Sequence, residues 1–364
     1  MAQAQCITHL YSNLAKVVQL TRNFTSEAPL SRSVLEAIFA TFEDGWADPK
    51  KLSQASSKAR RLRQQSLEAI ASAIGLTGDC IEPLGEPSLG YLLAINGFLS
   101  PESTLITTTA DVGKARAVAR AFTGAQESWP VNQNGEVLSG ALPDSPTVVL
   151  LQSANGETGV SHDIAGISSK LRDGDHLIID ASKTISELSQ FSQSASALIG
   201  DATAWGGPSG FGFIAINNRA KFRYPLPHIA PISAPGSYSL PLLVGAARAI
   251  EIYSPAQAIA NRLSAAKKLS AMSGVTVIAP DAQSPYLSFL IDGYAAEEIQ
   301  RELSALDIAI DAGSACSPEN LAPSHVIAAM GYPTTGHMRA TFRDDSDIDY
   351  LSTSLEKVLE KLSS

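Results

Sequence analysis

Asn155, Asp180 and Lys183 each follow closely on a short apolar run. Thr147-Val-Val-Leu-Leu151 leads to Asn155-Gly-Glu157-Thr-Gly159, and His176-Leu-Ile-Ile-Asp180 continues into Ala-Ser-Lys183. Such runs, alternating with helical segments, are the pattern of parallel strands covered on both faces, whose ligands bind beyond the carboxyl ends. A lysine amine buried among such strands loses basicity and becomes a nucleophile able to form an imine. It can equally form an ion pair with Asp180 or Asp111, the reading we favour from sequence. Farther along, Cys316 sits among small residues in Gly313-Ser-Ala-Cys316-Ser. A thiolate on an accessible loop can accept and pass on sulfur, whereas a lone cysteine elsewhere is a small buried hydrophobe. Arg339 presents a planar fork that suits a carboxylate or a surface ion pair.

These residues need elements to hold them. After the helices expected over Ser31 to Phe42 and Ser53 to Ile74, the second with Leu62, Leu67, Ile70 and Ile74 as its core stripe, comes Cys80-Ile-Glu-Pro-Leu-Gly85-Glu86-Pro87-Ser88. It enters an apolar helix from Leu89 to Phe98. A glycine-containing loop at a helix start can hold a phosphate on free N–H groups. The two prolines around Gly85 donate none, and the Glu86 carboxylate repels one. Leu105 to Asp111 reads as a strand and its exit, with Asp111 expected to cap a helix starting near Val112. Asp201-Ala-Thr-Ala-Trp205 meets the turn Gly206-Gly-Pro-Ser-Gly210 and a last strand, Phe211 to Ile216. Lys221 to Ser239 reads as a long surface connection. One long helix is expected from Leu240 to about Ala271, then a strand at Tyr286 to Ile291 and a helix at Ala296 to Ala305.

Composition narrows the function classes. The 364 residues carry a net charge of −9, with 45% hydrophobic and 17% charged residues. The length fits a large domain with a smaller one. An acidic chain whose one basic run, Lys58-Ala-Arg60-Arg61-Leu-Arg63, reads as a solvated helix face does not suit nucleic acid or an anionic membrane. Cys6, Cys80 and Cys316 are too scattered for a zinc site or a disulfide framework. No apolar run is long enough to span a bilayer, and the first residues lack the regions of a secretory signal, so a cytoplasmic protein is expected.

The order of these motifs resembles the cysteine desulfurases, a branch of the class V aminotransferases with the fold type I pyridoxal phosphate (PLP) architecture. The densest resemblance lies in Gly313-Ser-Ala-Cys316-Ser, Pro323-Ser-His325-Val-Ile, Ala329-Met-Gly331 and His337-Met-Arg339-Ala-Thr. Asn155, Glu157 and Gly159 match the family's Asn-Asn-Glu-x-Gly, Asp180 its partner for the pyridine nitrogen, and Gly207, Pro208 and Gly210 its Gly-Pro-Lys-Gly. The resemblance implies an α/β fold: a large PLP-transferase domain with a mostly parallel sheet between helices, and a smaller α+β C-terminal domain. The expected boundaries are an N-terminal helix and arm over 1–20, the large domain over 21–250 and the small domain over 251–364.

By the same resemblance, Asn155, Asp180, Lys183, Gly85 and Ser237 would bind the cofactor, Arg339 with Asn155 the substrate, and Cys316 would carry the sulfur as a persulfide. Ser237, in Ala234-Pro-Gly236-Ser237, stands where a family threonine reaches the phosphate of the other subunit. The departures are equally specific. The Ser-x-His-Lys that supplies the imine lysine is missing, with Trp205 running straight into Gly206, a gap of about five residues. Asp111 replaces the histidine that stacks on the cofactor ring, and Lys183 replaces a glutamine near its phenolic oxygen. The expectation is a degenerate desulfurase-like protein of sulfur transfer or iron–sulfur cluster assembly, forming a homodimer or pairing with an intact homologue. Two alternatives stand beside it: an active enzyme with Lys183 as relocated imine lysine, and a persulfide acceptor acting through Cys316. His325 and His337 are expected to be structural or exposed.

Overall fold

A computed structural model describes residues 20–228, 238–313 and 323–363. The chain forms two compact units, one spanning Pro29–Ser254 with His325–Tyr332 and the other built from the remaining described residues. Strand β1 (Asn23–Phe24) belongs to the smaller unit. The larger unit holds β2 (Ile81–Leu84), β3 (Thr104–Thr108), β4 (Ala125–Trp129), β5 (Thr147–Gln152), β6 (His176–Ala181), β7 (Ala197–Asp201) and β8 (Gly212–Ile216). Their order across the seven-stranded sheet is β2-β8-β7-β6-β5-β3-β4. Strands β3 to β7 run parallel, while β8 is antiparallel to both its neighbours. The edge strand β2 accommodates Pro83, whose missing N–H would break a ladder in the sheet interior.

The apolar runs are continuous because both faces are covered. Successive residues alternate between two cores: Val149 and Leu151 pack on one side, Val148 and Leu150 on the other. Helices α1 (Arg32–Asp44) and α2 (Gln54–Ala73) cover the first face, α3 (Leu89–Phe98) and α4 (Gly113–Ala121) the second. Helices α5 (Ile164–Ser168) and α6 (Leu240–Glu251) return to the first. Ser31 and Ser53 cap α1 and α2, accepting from the N–H groups of Val34 and Ser56. On α2 the stripe Leu67, Ile70 and Ile74 is buried, with Leu62 half-buried.

The single helix expected from Leu240 to Ala271 is two. Helix α6 ends at Glu251 and α7 (Ala256–Ser270) begins after Pro255, which can neither donate an N–H nor sit inside a helix without a clash. The break falls where the chain leaves the larger unit. In the smaller unit β9 (Val275–Ile278), β10 (Tyr286–Ile291), β11 (Ala309–Ala312) and β12 (His337–Thr341) form the sheet β1-β11-β12-β10-β9. Helix α7, with α8 (Ala296–Ser304), shares a core with Leu287, Phe289 and Met338. Helix α9 (His325–Ala329) lies in the larger unit, and α10 (Ile348–Ser363) adds Leu351 and Leu355 to the core of the smaller one. No described helix is long and apolar enough to cross a membrane.

Candidate functional site

The candidate site lies along the carboxyl edge of the seven-stranded sheet, where Gly85 follows β2, Asp111 follows β3, Asn155 follows β5 and Asp180 ends β6. Asp180 points to the face of Ile178, against α3, and is 2% exposed. Its Oδ2 accepts from the hydroxyl of Tyr91 at 2.9 Å and its Oδ1 from the backbone N–H of Ser182 at 2.9 Å. The Ser182 and Tyr91 hydroxyls are themselves 3.0 Å apart. Helix α3 is apolar on most sides and largely buried, and it brings Tyr91 with it. Gly90 allows that approach: a Cβ there would stand 2.7 Å from Ile199 Cγ2 on β7.

Burial pushes the Asp180 carboxyl up, against the hydrogen bonds of Ser182 and Tyr91 and the attraction of Lys183. Asp111 is fully buried and pushed up to about 7, mainly by burial and in part by Asp180, although Thr108 and Arg116 oppose it. Contrary to the expectation from sequence, it does not cap α4. Its carboxylate turns back to β3 and accepts from the N–H and hydroxyl of Thr108 at 2.7 and 2.9 Å, and α4 starts at Val112 without a side-chain cap.

Asn155 is 3% exposed and holds together two strand exits. Its Oδ1 accepts from the N–H groups of Glu157 and Thr158, and its Nδ2 donates to Ala110 O and Gln152 Oε1, both at 3.1 Å. Gln152 Nε2 is buried without a hydrogen-bond partner among the described residues. The half-buried Lys183 lays its stem over Gly156, where a Cβ would stand 2.6 Å from Lys183 Cγ. At Gly85 the chain is exposed and the loop bonds to itself. Glu86 accepts from the N–H of Ser88 at 3.0 Å and from its hydroxyl, and these donors, with Lys114, hold its carboxyl below the usual range. The N–H groups of Leu89 and Gly90 go to the carbonyls of Glu86 and Pro87.

Between β7 and β8 the chain passes through a single turn, Ala202–Trp205, and Gly206 in the left-handed region at φ 76°. Trp205 is 1% exposed and its indole N–H donates to Ala246 O at 3.0 Å. No lysine occurs between Lys183 and Lys221.

Gly85, Asn155, Asp180 and Lys183 thus share one edge of one unit. Arg339 belongs to the other unit, on β12 opposite Asp311 and Ser288, with its Nε buried and without a hydrogen-bond partner among the described residues. Ser237 and Cys316 lie outside the described residues. His337 is 1% exposed and bonded to Ser288 Oγ at 2.9 Å, and burial together with Arg339 lowers it to about 3. His325 Nε2 reaches the carbonyl of Asp111 at 2.8 Å. Sequence reasoning missed Tyr91 and Ser182. The available signal was a phenol inside a largely apolar helix, which needs a hydrogen-bond partner once buried.

No family model matches the chain. Among curated proteins it is similar to the cysteine desulfurase IscS of Dictyoglomus turgidum, 23% identical over 377 residues, covering 93% of this chain and 94% of that protein. Among solved structures it is similar to a NifS-like protein at a TM-score of 0.80 and 20% identity, covering 94% of this chain and 99% of the other. It also resembles the cysteine desulfurase CsdA of Escherichia coli at a TM-score of 0.73 and 19% identity, covering 93% and 94% of the two chains. The chain thus has the fold of these proteins, a mostly parallel sheet between helices with a smaller second unit, and is similar in sequence to a cysteine desulfurase along nearly its whole length.

Proposed function

We propose that this is a desulfurase-like protein of sulfur transfer or iron–sulfur cluster assembly that has lost PLP catalysis. The observation that carries the reading is the β7–β8 connection, where the buried Trp205 and the left-handed Gly206 occupy the stretch that supplies an imine lysine in the resembled family. The residues present do not fit PLP. Asp180 already accepts from Tyr91 and Ser182, the N–H groups beside Gly85 are engaged within the loop, and Asp111 turns its carboxylate to Thr108 rather than offering a ring for stacking. Lys183 as a relocated imine lysine is the less favoured alternative, because its charge offsets that of Asp180, as expected of a residue compensating a buried acid.

What remains is sulfur handling. The Cys316 thiolate would attack the terminal sulfur of a persulfide on another protein. A new S–S bond forms at Cys316, the donor's S–S bond breaks, and the donor leaves as a thiolate. Arg339, with a buried Nε that has no hydrogen-bond partner among the described residues, keeps the means to hold a carboxylate. The partners in this reading are a second copy of the chain or an intact homologue, and sulfur-acceptor proteins. The test is a visible spectrum of the purified protein with added PLP, followed by borohydride reduction and mass mapping. No imine band and no pyridoxyl-lysine are expected, together with persulfide transfer that Cys316→Ser abolishes. A label on Lys183 would restore the active-enzyme alternative.

A further inference from the structure

We infer that Tyr91 is a built-in occupant of the seat that a pyridine ring would take against Asp180, so that the chain's own side chains close this site to PLP. The inference rests on the degenerate reading above and adds what now fills the site.

A pyridinium N–H and a phenolic O–H ask the same of a carboxylate, one aromatic donor at hydrogen-bond distance. Tyr91 meets that demand at 2.9 Å, while the other carboxylate oxygen is taken by Ser182. Tyr91 is 3% exposed and Asp180 2% exposed, so a second ring reaches the carboxylate only by displacing the first. The displacement is opposed by the close seating of α3 on β7 at Gly90, which fixes where the next residue points. The other end of the site is filled in the same way. The N–H groups of Ser88, Leu89 and Gly90 are all used within the loop, the first of them by the Glu86 carboxylate, which repels an incoming phosphate. Both substitutions are independent of the missing lysine.

The wild type, Tyr91→Phe and Tyr91→Ala are compared by thermal melting, with PLP, phenol and toluene as probes. PLP is expected to leave the wild-type melting temperature unchanged. Tyr91→Ala should melt several degrees lower and recover with phenol more than with toluene, because phenol both fills the vacated space and donates to Asp180. Tyr91→Phe keeps the ring and removes only the donor. Its melting temperature should fall below wild type, and the gap should narrow as pH is lowered, because an Asp180 carboxyl that has taken up a proton, as its burial favours, no longer needs that donor. The other charges acting on Asp180 or its neighbour Asp111 are those of Lys183 and Arg116, and neither is altered in these variants.

Should Tyr91→Ala fail to fold, the Phe variant decides. A wild type without PLP uptake, together with a Phe variant that melts like it across the pH range or shows a pH-independent gap, overturns the inference alone. So does a folded Ala variant that recovers equally with toluene and phenol. A visible PLP band in the wild type overturns the degenerate reading and the inference with it.

Discussion

Asp111 and Asp180 resist ionisation in the folded protein because burial outweighs their hydrogen bonds. An acid whose folded pKa lies above its unfolded value keeps its proton longer in the fold. The stability it confers is therefore greatest at low pH and declines as pH rises from 3.8 towards about 7 for Asp111. Asp111→Asn keeps an oxygen to accept from Thr108 but carries no charge. It should be as stable as wild type near the acid end and more stable above neutrality, as urea unfolding across that range would measure; parallel pH profiles would contradict this. Asp180 and Asn155 were legible in the sequence because they follow apolar runs that could only be strands. The partners of Asp180 were not, since which side chain meets a carboxylate depends on how closely a helix seats on the sheet. Asp111 was misread for a related reason: a short acid after a strand can cap the next helix or turn back, and here the donors of Thr108 were nearer.

At the scale of elements, the connection between β7 and β8 depends on Gly206. Its positive φ carries no penalty for glycine but costs an alanine about 1–2 kcal/mol. Gly206→Ala is expected to lower stability by that amount without changing secondary structure, measured by denaturant midpoint and circular dichroism. Gly90→Ala should cost a comparable amount, about 1–3 kcal/mol, through the clash with Ile199 rather than through backbone strain. A double variant should be close to additive, which would place the two effects in separate parts of the sheet. The strands were readable because fully covered parallel strands are continuously apolar. The break between α6 and α7 was written in the sequence as Pro255 but overlooked in favour of a continuing apolar pattern, even though proline is the stronger signal.

On the scale of the whole molecule, the outer side of α1 and the turn after it expose Leu35, Phe39, Phe42 and Trp46 at helical spacing, with Trp46 at 74% and the nearby Leu52 at 97% exposure. An apolar stripe of this kind marks an association surface, and the second copy proposed above is the occupant it suits. Light scattering should give the mass of a dimer for wild type and of a monomer for a Phe39→Glu, Trp46→Glu variant with unchanged circular dichroism. An unchanged mass would remove α1 from the interface. No periodicity in the sequence set this stripe apart from the buried one on the same helix, because both are apolar and only packing decides which faces the core. Trp205 has a consequence at this scale as well. Since it is anchored to Ala246 inside the core, the connection between β7 and β8 is part of that core. Residues inserted between Trp205 and Gly206 would therefore disturb the core as well as the turn.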